Sequence, residues 1–169
     1  MNRKLSKIDY CKDAVTLAPL LLGKVLCRQI GKKTLKLHIT ETEAYYGTED
    51  TACHAHRGKT ARNSIMFEDG GYAYIYLCYG VHWLFNVVSG KTAYPEAVLI
   101  RGIEGFDGPG KLTKYLQIDK SLNGENLIQS KSLWIEDHGI KADYRTAKRV
   151  GINSASKKDQ NRLWRFLIK

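Results

Sequence analysis

No stretch of this sequence is apolar for long enough to cross a bilayer. The longest, near Val15 to Leu22, falls far short of the roughly 20 residues a spanning helix needs. The opening residues, MNRKLSKIDYCKD, lack the apolar run of a signal peptide. The four cysteines, Cys11, Cys27, Cys53 and Cys78, form no CxxC pair. These absences predict a cytoplasmic chain with reduced thiols. There is no internal repeat, no low-complexity tract and no linker rich in Pro, Gly or Ser. The segment Gly108-Pro109-Gly110-Lys111 lacks Walker A spacing, so it does not support a nucleotide P-loop.

What remains is one domain's worth of chain. Its 169 residues are 43% apolar and 26% charged, which is globular and long enough to bury a core. Twenty-seven Lys and Arg against 17 Asp and Glu leave a net charge of +10. That balance makes nucleic acid the first partner to consider, with plain solubility as the bland alternative. The charge is uneven. Residues 1–36 and 141–169 each hold nine basic and two acidic side chains, whereas 37–140 hold nine basic and thirteen acidic. Two basic flanks that grip a phosphate backbone around an acidic middle are one reading; two solvated faces are the other.

Asp13 can cap a short helix carrying Val15, Leu17, Leu20 and Leu21 and ended by Gly23. Lys24 to Ile30 and Thr34 to Tyr45 read as strands joined by a turn at Gly31-Lys32-Lys33. Residues 47–70 read as a long irregular loop, of the kind that often carries function. Tyr72 to Cys78 and His82 to Val88 form a hairpin about Tyr79-Gly80. Pro95 to Ile103 is a further strand, Lys111 to Leu116 a short helix and Leu133 to Ile135 a short strand. Strands dominate the middle, so the expected fold is α+β with a mostly antiparallel sheet.

Three features suggest chemistry. In the second strand, Leu35, Leu37 and Ile39 share a face, and the same parity continues through Glu41, Glu43 and Tyr45. A period of two predicts both carboxylates, roughly 7 Å apart, on the face buried upstream. Desolvation there would raise their pKa toward the range useful for acid–base work. The alternative is that the strand leaves the core after Ile39 and both glutamates meet water or arginines. Second, Cys53-His54-Ala55-His56 holds possible zinc ligands, but no completing set follows, and hydrogen-bonding or phosphate-facing histidines are the better reading. Arg57, Lys59 and Arg62 make the same loop an anion-contact candidate. Third, Tyr72, Tyr74 and Tyr76 share a strand face and Tyr79 sits at the turn. They suit base stacking and wedging, or simply strand packing.

In this order, the blocks ITETEAYYG (39–47), DTACHAHRGKTARNSIMF (50–67), GGYAYIYLCYGVHWLFNVVSG (70–90), EAVLIRGIEG (96–105), GPGKL (108–112), LWIED (133–137) and RVGI (149–152) resemble the alkyladenine (3-methyladenine) DNA glycosylase family. The likeness runs from about Leu17 to Ile168. It implies a single domain with a curved sheet, a protruding β-hairpin and few short helices. By position, Glu43 matches the general base that activates water and Arg101 an arginine that helps hold that water. Tyr45, His54 and Tyr76 match the walls of a pocket for the flipped base. Asn86 matches the asparagine that disfavours guanine's exocyclic amine. Tyr79 matches the residue that fills the gap left by the extruded nucleotide. The connection from Glu104 to Gly108 is shorter than in the family pattern. The family's partner is double-stranded DNA containing damaged purines. No metal, no cofactor and no membrane are implied, and the resemblance points to a monomer in the cytoplasm, associated with the bacterial nucleoid. The alternatives kept open are a non-catalytic DNA- or RNA-binding module and a metal-dependent nucleobase hydrolase using Cys53, His54 and His56.

Overall fold

The structure, a computed structural model, describes residues 2–169. Among these, ten strands form one curved antiparallel sheet: β1 (Arg3–Lys4), β2 (Val25–Ile30), β3 (Lys33–Tyr46), β4 (Ala73–Cys78), β5 (His82–Val88), β6 (Glu96–Ile103), β7 (Phe106–Asp107), β8 (Leu133–Asp137), β9 (Tyr144–Ala147) and β10 (Arg165–Ile168). Their main order is β1-β8-β2-β3-β6-β5-β4, while β10 pairs with β3 and β9. Four short helices accompany them among the described residues: α1 (Lys7–Tyr10), α2 (Ala14–Leu20), α3 (Pro109–Tyr115) and α4 (Lys157–Gln160). The α+β expectation holds. Among the described residues, no helix is long and apolar enough to cross a membrane.

Local chemistry explains the elements that were legible in sequence. Asp13 caps α2 by accepting from the Thr16 N–H at 2.9 Å. Cys78 and Val81 close the β4–β5 hairpin through a backbone bond of 3.0 Å, with Tyr79 and Gly80 at φ 50° and 68°. Positive φ at both central residues gives the turn a twist that matches the strands it joins. The short connection after β6 is also a tight hairpin, pairing Ile103 with Phe106 across Glu104-Gly105.

β3 is the spine of the molecule. Its first half pairs with β2, its second half with β10, and its other edge with β6. Where these pairings change over, the expected alternation fails. Leu35, Leu37 and Ile39 join the main apolar core, and so does Ala44; between them Thr42 is fully buried and donates to Ala18 O of α2 at 2.8 Å. The chain thus takes three residues from Ile39 to Thr42 to return to the same side. β6 does the same in register, from Ile103 to Ile100, and both residues lie in that core. Gly102, which faces Glu41 in the pairing, makes the paired step possible: a Cβ there would come within 3.0 Å of Thr40 Oγ1 and Glu41 Cβ. Glu41, Glu43 and Tyr45 therefore do not share the face of Leu35, Leu37 and Ile39. They lie on the opposite side, because parity reverses at the step.

The tail supplies two strands and a helix that carry no alternating pattern. β10 inserts beside β3, with Arg165, Phe166 and Leu167 opposite Glu43, Thr42 and Glu41. Only Phe166 of these joins the core.

Candidate active site

Beyond the step, the odd residues of β3 and β6 and the even residues of β4 and β5 face a cleft of about 1170 Å³. Tyr45, Leu99, Arg101, Tyr74, Tyr76 and Asn86 line it, and His54 and Met66 enter from the long 47–70 segment. That segment is largely irregular as expected, with one 3-10 turn at Ser64–Phe67.

Glu43 lies just behind this wall and is 0% exposed. Its Oε1 accepts from the Val150 N–H at 2.8 Å and its Oε2 from the Tyr45 hydroxyl at 2.8 Å. Arg101 Nε is 3.6 Å from Oε1. Burial raises the carboxyl's pKa above the ordinary range, against the pull of Arg101, the Val150 N–H and the Tyr45 hydroxyl. Each carboxylate oxygen has two lone-pair sites. One hydrogen bond to each leaves each oxygen a further acceptor site.

The walls are aromatic. His54 and Tyr76 have ring centroids 4.3 Å apart, and Tyr74 and Tyr76 5.5 Å apart. His54 Nδ1 is bonded to the Tyr74 hydroxyl at 2.9 Å, and burial lowers its pKa, which favours the neutral ring. Burial also raises the pKa of Tyr45 well above its usual value, so it stays a neutral donor to Glu43. Asn86 is buried, with its amide donating to Tyr74 O at 3.1 Å. Tyr79 stands apart on the rim, 89% exposed at the hairpin tip, with Val81 also exposed.

One supporting group, the first residue of the RVGI block, was given no role by the sequence. Arg149 has no exposed side chain surface and forms a two-pronged pair with Asp50 at 2.5 and 2.9 Å. It also donates to Ala44 O at 2.9 Å, and its guanidinium lies between the rings of Tyr45 and Trp164 at 4.9 and 5.1 Å. This pair fastens the strap around Val150 onto β3 and so aims the Val150 N–H at Glu43. A charged residue in a basic tail reads as surface; only the fold brings it to a buried aspartate 99 positions away.

The remaining candidates divide. Cys53 is buried and its thiol is pushed up to about 12, while His56 Nδ1 bonds Thr48 O at 2.7 Å. With His54 on Tyr74, the two histidines turn to separate partners; no group of three or more metal-ligating side chains converges among the described residues. Arg57, Arg62 and Lys111 reach the cleft wall, whereas Lys59 lies 5.4 Å over the Phe67 ring. Thus the cations lining the cleft come from the acidic middle. The basic flanks are partly neutralised instead, through Arg3–Asp9, Lys7–Asp69, Lys24–Asp137, Lys36–Glu136 and Arg149–Asp50.

The methylpurine-DNA glycosylase family model matches residues 8–107 and 104–169. A protein of Borreliella burgdorferi (strain ZS7) is 44% identical over 179 residues, covering 98% of this chain and 96% of its own. One from Natranaerobius thermophilus is 40% identical over 190 residues, with 96% of each chain covered. One from Rickettsia felis is 40% identical over 166 residues, covering 94% of this chain and 89% of its own. All three carry the name "Putative 3-methyladenine DNA glycosylase".

Proposed function

The chain belongs to the methylpurine-DNA glycosylase family, and on that premise we propose that it flips alkylated or deaminated purines out of duplex DNA and hydrolyses their N-glycosidic bond. The substrates are the 3-methyladenine, 7-methylguanine, hypoxanthine and ethenoadenine class. The observation that carries this reading is Glu43: a fully buried carboxylate beside Arg101, directly behind an aromatic cleft.

A base must leave the helix to reach such a cleft, which costs a few kcal/mol of stacking and pairing. Tyr79, projecting from the exposed hairpin tip, offsets this by filling the vacancy. Tyr45, His54 and Tyr76 present faces and edges to the flipped base, and Asn86 sets the room beside its exocyclic group. Glu43 accepts a proton from water as the water oxygen bonds to the sugar's C1′. Oxocarbenium character develops there as the bond to the base breaks. The bonding pair departs with the base nitrogen. A ring-alkylated purine is already cationic and leaves neutral; hypoxanthine requires a proton on the ring. The products are free base and an abasic sugar, with the strand uncut, since water and not an amine is the nucleophile. The enzyme acts as a monomer and needs no metal or organic cofactor.

The test is to incubate the protein with duplexes containing hypoxanthine, ethenoadenine or 3-methyladenine and separate the free base by chromatography. Release of at least one without strand cleavage is expected. Tight lesion binding with no release from any duplex would overturn the hydrolase reading and leave a binding module.

A further inference from the structure

Arg101 stands between two carboxylates, and the reading above uses only one of them. Its Nε is 3.2 Å from Glu41 Oε1 and 3.6 Å from Glu43 Oε1. A guanidinium Nε carries a single proton, so the two glutamates compete for it. Glu41 is in turn held from the far side. Arg165 Nε on β10 is 3.5 Å from the same Glu41 oxygen, and that nitrogen is buried with no hydrogen bond. The result is a row of alternating charge: Arg165, Glu41, Arg101, Glu43. The two carboxylates differ in environment, since Glu41 keeps 17% of its side chain exposed and Glu43 none.

We propose that Glu41 is a positioning residue: backed by Arg165, it holds the near side of the Arg101 guanidinium, so that Arg101 faces the cleft and does not close onto Glu43. This rests on the assignment of Glu43 as the base. A carboxylate locked into a full pair with arginine is a poor proton acceptor. Glu41 prevents that in two ways, by dividing the charge of Arg101 and by adding a negative charge close to Glu43. The other groups that face Glu43 are Tyr45 on β3, Tyr76 on β4, Arg101 on β6, Arg149 on the strap and Arg165 on β10. All are neutral or positive, so among the charged groups around Glu43 it is Glu41 that adds to burial in holding the base strong. It touches neither water nor substrate in this role.

The variants are Glu41→Gln, Glu43→Gln and the double substitution. Single-turnover base release is followed against pH, and the Glu43 carboxyl is titrated by carbon NMR in glutamate-labelled protein. Glu41→Gln is expected to slow release by about tenfold near neutral pH. The acidic limb of the profile and the Glu43 midpoint should both move down by about 0.5–1 unit. In the Glu43→Gln background, adding Glu41→Gln should cost nothing more, because the two act through one path. An unmoved midpoint, or losses that multiply in the double variant, would overturn the proposal. The two readings fail separately. Wild-type protein that releases no base refutes the glycosylase assignment, while the titration still decides whether Glu41 acts on Glu43.

Discussion

The same four strands show the chain two different solvents. Toward α2, residues such as Phe85, Val87, Val98 and Ile100 close a dry apolar core, and the buried Thr42 hydroxyl is spent on Ala18 O. Toward the cleft, the neighbouring positions are polar: Glu43, Tyr74 and Asn86 are buried at a desolvation cost, and Tyr45 and Arg101 are half-buried at the wall. Residues one apart in sequence thus carry stability and chemistry separately. A mutation on one side should leave the other side's property nearly intact.

The strongest way to break that division is Glu43→Gln. Base release should fall by roughly 10²–10⁴-fold, the usual worth of a general base. Thermal unfolding should show no loss of Tm, because the amide relieves a buried charge. A large drop in Tm together with the rate loss would mean that the cleft face also holds the fold together. Next is Phe85→Ala on the opposite face. It should destabilise by about 3–5 kcal/mol in urea unfolding, while release per folded molecule stays at the wild-type rate.

A smaller effect tests a buried carboxyl on the dry side. Glu96 is buried there, accepting from the Ala14 N–H at 2.5 Å, and burial lifts its pKa to about 7. Its ordinary value in the unfolded chain is about 4.5. Between those values the folded state holds a proton that the unfolded state has released. Stability from this group therefore falls as pH rises from about 4.5 to about 7. The slope can reach at most about 1.4 kcal/mol per pH unit, and Glu96→Gln should flatten it in equilibrium unfolding. An equal slope in the variant would place the titration elsewhere.

The strands and the hairpin were legible because their signals are local: alternation in β4, β5 and the first half of β3, and turn chemistry at Tyr79-Gly80. The resemblance named Glu43, Tyr45, His54, Tyr76, Asn86, Tyr79 and Arg101 as site residues. The structure sets Tyr45, His54, Tyr76, Asn86 and Arg101 around one cleft, Glu43 just behind its wall and Tyr79 at its exposed rim. Parity predicted the wrong face for Glu41 and Glu43, because the three-residue step exists only where β3 and β6 make it together. The blocks at 50–67 and 149–152 contain Asp50, Arg149 and Val150, but the Asp50–Arg149 clamp and the bond from the Val150 N–H to Glu43 were hidden for a related reason: only the path of the chain sets these partners. The idea of basic flanks gripping DNA did not foresee how many of those cations would be taken by nearby acids, nor that the cleft would draw its own from the acidic middle.

The step between Ile39 and Thr42 also sets what kind of change this region can survive. Side chains on a strand have a phase, and the step resets it once, in both strands together. A substitution nearby alters one contact. Loss or gain of a single residue there would shift the phase of everything that follows, turning Glu43 toward α2 and Ala44 toward the cleft. The site is therefore guarded by chain length as much as by residue identity, and this short stretch should tolerate new side chains far better than a new count of residues.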